Sequence, residues 1–87
     1  MSDIIIYTTN TCPYCHAAKN LLEMKKVSYE EIDVSGNPAL RAKMTEKAGG
    51  ITSVPQIFIN GQHIGGCEDL YNLEKQAKLD PLLTTSG

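Results

Sequence analysis

A proline and a tyrosine framed by two cysteines, placed where a strand hands over to a helix, constrain this chain more than any other feature. The segment Thr11-Cys12-Pro13-Tyr14-Cys15 follows residues 3–8, a near-continuous apolar run that reads as a short strand, and the polar turn Thr9 to Thr11. Pro13 suits the first helical position, because its ring presets the backbone angle and its missing N–H would have no helical acceptor. Cys12 then becomes the N-cap and Cys15 the third helical residue. In a Ser/Thr capping box the cap side chain accepts a bond from that third N–H. A thiolate at Cys12 would be held in the same way, by backbone donors and the positive end of the helix dipole. The thiolate is the reactive form of cysteine, and C-x-x-C pairs at helix N-termini reach thiol pKa values of roughly 3.5–7.5, against about 8.5 for a free thiol. The pair reads as a redox site. A tetrahedral zinc site would need four ligands, leaving Cys67, His16 and His63 to complete it. A purely structural disulfide is the other alternative, and the strand-to-helix setting speaks against it.

At 87 residues the chain is read as one domain spanning 1–87, large enough to fold alone, since domains of about 55–65 residues often do. Apolar and charged fractions of 41% and 21% are those of an ordinary globular protein, and no stretch reads as a linker. The net charge of −2, with the basic residues scattered, argues against nucleic acid or an anionic membrane as partner, because both select clustered Lys and Arg. No stretch approaches the about 18 apolar residues of a membrane span. The start Met1-Ser2-Asp3 lacks the basic residues and cleavage site of a secretion signal. Three cysteines do not make a disulfide framework, so a reducing compartment, the cytoplasm, is expected.

Along the chain, residues 13–26 carry Ala17 and Leu21, and Ala18 and Leu22, at helical spacing. Residues 27–34 predict a second strand. Asn37-Pro38 is a helix start, cap followed by first-turn proline, and that helix runs to about Ala48, with Leu40 and Met44 on one face and Gly49-Gly50 as its stop. Pro55 opens a third strand, Gln56 to Ile59. Asn60-Gly61 is a strong hairpin signal, and Gln62 to Ile64 return antiparallel. Gly65-Gly66 precede a last helix from about Cys67 to Lys78, with Leu70, Leu73 and Ala77 on one face. The tail from Asp80 to Gly87 is expected to be part docked, through Leu82 and Leu83, and part loose. The first half implies a right-handed parallel crossover. The order β-α-β-α-β-β-α predicts an α/β thioredoxin fold, a mixed four-stranded sheet with three helices.

These residues resemble a dithiol glutaredoxin of the small bacterial type. The match rests on Cys12-Pro13-Tyr14-Cys15, on Ser53-Val54-Pro55, on Gln56-Ile57-Phe58-Ile59 and on Gly65-Gly66-Cys67-Glu68-Asp69. The resemblance implies a glutathione-disulfide oxidoreductase, with no bound cofactor or metal and glutathione as the reducing co-substrate. Its partners would be glutathionylated or disulfide-containing proteins, ribonucleotide reductase being one such target, and the protein would act as a monomer. Cys12 would be the nucleophile and Cys15 the resolving thiol. The Val54–Pro55 bond would be cis, with the main chain of Val54 turned to the glutathione cysteine. Tyr14, Ser53 and Gly66 would flank glutathione, and Cys67, Glu68 and Asp69 would meet its γ-glutamyl end.

Several of these residues carry a plainer reading beside the functional one. Glu68 and Asp69 suit a first helical turn through the dipole alone. Arg41 either binds the glycine carboxylate of glutathione or is a solvated helix-face arginine. Cys67 either lies beside the active thiols or is a small packing residue. Tyr7 and Tyr29 read as strand residues that pack, Lys43 and His16 as solvent-facing, and His63 as surface strand. Two positions depart from the family. Thr9 stands where many members carry a lysine that favours the thiolate, and Ser53 where threonine is usual. Reduction by thioredoxin reductase, and a [2Fe–2S] cluster bridging two protomers, are the rival readings.

Overall fold

The computed structural model describes residues 3–84. Within them the chain forms β1 (Ile4–Thr8), α1 (Pro13–Met24), β2 (Glu30–Asp33), α2 (Pro38–Lys47), β3 (Gln56–Ile59), β4 (Gln62–Gly65), α3 (Cys67–Lys75) and α4 (Leu79–Thr84). The strands form one sheet in the order β2-β1-β3-β4, with β2 parallel to β1 and both hairpin strands antiparallel to their neighbours. This is the mixed sheet of the thioredoxin fold.

Strand alternation sorts the apolar residues onto two faces. Ile4, Ile6, Ile57 and Ile59 join Ala18, Leu21, Leu22, Leu70 and Leu79 in one buried cluster under α1, α3 and α4. Tyr7 and Phe58, packed edge to face at 5.7 Å between ring centroids, join Val34, Met44 and Ala48 under α2. The sheet is therefore covered on both sides, and β1 and β3 at its centre carry almost no polar residue.

Each helix end has a local cause. Asn37 caps α2, its Oδ1 accepting from the Leu40 N–H at 3.1 Å. That helix stops at Gly49 (φ +71°), where the Gly50 N–H returns to the Thr45 carbonyl at 2.8 Å, a Schellman closure. The first and third helices close in the same way but on non-glycine residues, Lys26 (φ +59°) and Ala77 (φ +58°). The Val27 N–H reaches Leu22 at 3.5 Å, and the Lys78 N–H reaches Leu73 at 2.8 Å. Both helices therefore end earlier than expected from apolar spacing, at Met24 and Lys75.

The predicted tail folds further than expected. After Ala77 the chain turns into the short helix α4, which adds Leu79 and Leu83 to the larger cluster. Lys25 Nζ bonds Glu74 at 2.7 Å and Asp80 at 2.8 Å, tying the end of α1 to α3 and α4. The rest of the expected tail, residues 85–87, lies outside the described residues, as does the start at Met1-Ser2. The second strand is shorter than the expected 27–34: Val27 and Tyr29 pack against the core as loop residues. No helix among the described residues is long and apolar enough to cross a membrane.

Candidate active site

Cys12 caps α1 in the manner the sequence implies. Its backbone is extended (φ −94°, ψ 110°), and its sulfur accepts the Cys15 N–H at 3.2 Å. On its other side the Cys12 Sγ lies 3.6 Å from the Val54 carbonyl, donating to it as a thiol. The turn leading into Cys12 is fastened to the turn after β2, since the Asn10 N–H donates to Ser35 Oγ at 2.8 Å.

The two sulfurs differ in environment. Cys12 keeps 9% of its surface and Cys15 only 1%. Burial, first, and the hydrogen bond with Cys12, second, push the Cys15 thiol up to about 12, while the Thr9 main chain and the Lys19 charge pull the other way. Lys19 is held by Glu31 at 3.0 Å, and Glu31 also accepts from Thr8 Oγ1 at 2.7 Å. A thiol so buried stays protonated near neutrality, and Cys12 is the less buried sulfur of the pair.

Beside Cys12 lies a cavity of about 310 Å³. The loop before β3 supplies Ser53, Val54 and Pro55 to it, and α3 supplies Cys67, Glu68 and Asp69, with Tyr14 and Gly66 at its edge. The Val54–Pro55 bond is cis. The paired glycines let the start of α3 approach this loop. Gly65 has φ +120°, and a side chain there would run into the Asp69 carboxylate; a Cβ on Gly66 would lie 3.3 Å from the Pro55 carbonyl. Asp69 Oδ2 in turn accepts the Gly66 N–H at 3.0 Å. Tyr14 is 69% exposed at the rim. Cys67 is buried at the first position of α3, and burial, with Cys12 nearby, pushes its thiol up.

Arg41 stands apart from this group. It is exposed on α2, its Nη2 donates to the Thr52 carbonyl at 2.9 Å, and it lines a neighbouring groove with Thr52 and Pro38. Another cavity, of about 320 Å³, opens at the far end of the sheet beside Asp3, Tyr7, Lys47 and Gly61, away from the active-site cysteines. Among the described residues no three His, Cys, Asp or Glu side chains gather as a metal site.

Two residues escaped the reading of the sequence. Gln56 is 1% exposed, lines the cavity and bonds Ser53. His63 is half-buried, not the surface strand residue expected: its ring stacks on Phe58 at 5.0 Å and its Nε2 lies 2.7 Å from Gln56 Oε1. The available signal was a lone polar residue opening an otherwise apolar strand.

Comparison with known proteins agrees with this geometry. The glutaredoxin family model matches residues 4–64. Glutaredoxin 3 of Escherichia coli is 55% identical over 83 residues, covering 95% of this chain and 99% of the relative. A glutaredoxin of Pseudomonas aeruginosa is 52% identical over 84 residues, covering 97% and 99%. Among solved structures, the glutaredoxin of Brucella melitensis superposes with TM-score 0.83 at 55% identity, over 95% of this chain and 89% of that one. A buckwheat glutaredoxin–glutathione complex superposes with TM-score 0.88 at 29% identity, over 95% and 77%. With two unequal cysteines at a helix mouth and this kinship along nearly its whole length, the chain belongs to the glutaredoxin family and is a thiol–disulfide oxidoreductase.

Proposed function

We propose that the protein reduces glutathione mixed disulfides and protein disulfides, with glutathione as the source of electrons. The observation that carries this reading is the Cys12 sulfur lying 3.6 Å from the Val54 carbonyl, on a loop that walls the adjoining cavity. A peptide laid along that loop would pair its own main chain with Val54 and bring its cysteine sulfur to Cys12. Strand pairing of β3 begins only at Gln56, so the peptide groups of Val54 lie outside the ladder. The buckwheat relative, solved with glutathione, supports the same ligand here.

Glutathione is a tripeptide with two carboxylates and one ammonium. The N–H groups opening α3 suit its γ-glutamyl carboxylate, and Asp69 suits its ammonium. Arg41, fastened beside the loop through Thr52, supplies a cation for the glycine carboxylate in place of the lysine absent at Thr9. Tyr14, Ser53, Pro55, Gly66, Cys67 and Glu68 complete the walls.

In the first step the Cys12 thiolate attacks the glutathione sulfur of a mixed disulfide. A Cys12–glutathione disulfide forms and the substrate leaves as a thiol. A second glutathione thiolate then attacks that disulfide, releasing oxidised glutathione and the Cys12 thiolate. With a protein disulfide, Cys12 attacks one sulfur. Cys15 attacks the Cys12 sulfur of the resulting mixed disulfide, its proton passing to the departing substrate thiolate. The substrate leaves as a dithiol, and two glutathiones reduce the Cys12–Cys15 disulfide left behind, forming oxidised glutathione.

Assays with glutathione, glutathione reductase and NADPH test the roles directly. Cys15→Ser keeps deglutathionylation and loses protein-disulfide reduction, whereas Cys12→Ser loses both. Residual deglutathionylation by Cys12→Ser would overturn the assignment. Turnover with thioredoxin reductase and NADPH in place of glutathione would overturn the choice of reductant. A monomer working in the cytoplasm on glutathionylated proteins is the setting this reading implies.

A further inference from the structure

The buried amide of Gln56 joins the loop before β3 to the edge strand β4. Its Nε2 donates to the Ser53 carbonyl at 2.9 Å and lies 3.4 Å from Ser53 Oγ, while its Oε1 lies 2.7 Å from His63 Nε2. The two contacts fix each other's direction. A carbonyl can only accept, so the amide group facing Ser53 must be the NH₂ and the group facing His63 must be the oxygen. His63 must then carry a proton on Nε2 and donate. Turned over, the amide would set its oxygen against the Ser53 carbonyl, acceptor against acceptor, in a site that leaves Gln56 1% exposed.

The Ser53 carbonyl and the Val54 N–H belong to one peptide unit, and that unit is planar. Holding the carbonyl therefore sets the direction in which the Val54 N–H points. The imidazole is itself held in place: His63 lies opposite Phe58 across the β3–β4 pair and stacks on its ring at 5.0 Å and 37°.

We propose that His63 is a positioning residue for substrate binding, acting through the Gln56 amide to aim the Val54 N–H at the bound disulfide. This deepens the glutathione reading above and rests on it for the identity of the ligand. The Val54 carbonyl that meets Cys12 belongs to the next peptide unit. The relay thus governs how substrate is held and leaves the reactivity of the Cys12 sulfur alone.

Two substitutions separate the donor from the ring. His63→Phe keeps an aromatic ring on Phe58 and removes the donor; His63→Gln restores a donor at the position of Nε2. For a glutathione–cysteine mixed disulfide, His63→Phe raises KM about five- to tenfold, the scale of one lost hydrogen bond. It leaves kcat and the rate of Cys12 alkylation by iodoacetamide within about twofold, and His63→Gln brings KM back, as a restored donor should. An unchanged KM in His63→Phe overturns the proposal. So does a joint loss of kcat and alkylation rate that His63→Gln does not repair. Hydrogen exchange of the Gln56 side-chain amide, followed by NMR without any ligand, tests the relay independently. Exchange about tenfold faster in His63→Phe than in the wild type or His63→Gln is expected when one anchoring bond is lost, and equal rates refute the relay. If the wild type proves inert toward the mixed disulfide, the glutathione reading falls, and the exchange rates still decide the role of His63.

Discussion

The Cys15 main-chain N–H donates to the Cys12 sulfur at 3.2 Å, while the Cys15 sulfur itself lies buried one turn into the helix. One residue thus serves two ends. Its backbone N–H bonds the Cys12 sulfur, and its buried side chain is the resolving thiol of the mechanism we propose. The bond follows from the N-cap geometry, in which the third helical N–H points back at the cap; the burial comes from tertiary packing.

The burial of Cys15 sets its pH response. With its thiol pushed up to about 12, the thiolate fraction grows with pH across the whole neutral range and reaches no plateau. Cys12→Ser removes the hydrogen bond with Cys12 but keeps the burial that is the larger cause. Alkylation of Cys15 in that variant should still climb from pH ~7 to ~9 without levelling off, because only the thiolate reacts. Iodoacetamide trapping read by mass spectrometry measures this, and a plateau below pH ~9, near the value of a free thiol, would show that burial does not govern it.

Glu31 gives the fold an acid-side dependence. Its carboxyl is held below the usual range by the Thr8 hydroxyl, first, and by Lys19. A depressed folded-state pKa stabilises above the ordinary carboxylate range, and that contribution is lost as pH falls through the folded value. Glu31 is partly exposed, so the scale is that of a surface pair. Glu31→Gln should lower stability at pH 7 by about 0.5–1 kcal/mol. The difference from the wild type should shrink toward zero by pH ~2–3, where both carry an uncharged group. Urea unfolding at the two pH values compares them.

Ala77 turns the chain between α3 and α4 with φ +58°. A left-handed alanine costs about 1–2 kcal/mol, and glycine removes that cost while giving back about 0.4–1 kcal/mol through the unfolded chain. Ala77→Gly should therefore raise stability by about 0.5–1 kcal/mol. A fall in the thermal midpoint would mean that the alanine methyl, exposed in the structure, stabilises in some other way.

Met44 is the one fully buried side chain that α2 contributes to its face of the sheet. Met44→Ala should cost about 2–5 kcal/mol, with the loss seen in denaturant midpoints. Activity at 25 °C should fall only as far as the folded fraction does, because Met44 lines neither the active-site cavity nor its loop.

Much of this architecture was legible because its signals are local. The apolar runs of β1 and β3, the caps at Cys12 and Asn37, the prolines behind them, and the Asn60-Gly61 turn (φ +53° and +80°) each act within a few residues. The end of α2 was legible for the same reason, since Gly49 announces a left-handed closure. The ends of α1 and α3 were not: the same closure falls on Lys26 and Ala77, residues that carry no such signal. The docked α4 was half visible in Leu82 and Leu83. Its fold depends on Leu79 reaching a core built by distant strands.

The sequence by itself determined the four strands and first three helices apart from some of their ends, and that a cysteine would cap the first helix, because backbone sterics, caps and alternation are short-range. Only the tertiary structure decided how deeply each cysteine is buried, that Arg41 would be fastened to the Thr52 carbonyl, and that His63 would reach Gln56 behind the Val54 loop. Burial and hydrogen-bond partners belong to chain segments brought together across the sheet, and no spacing along the chain specifies what will lie on the other side.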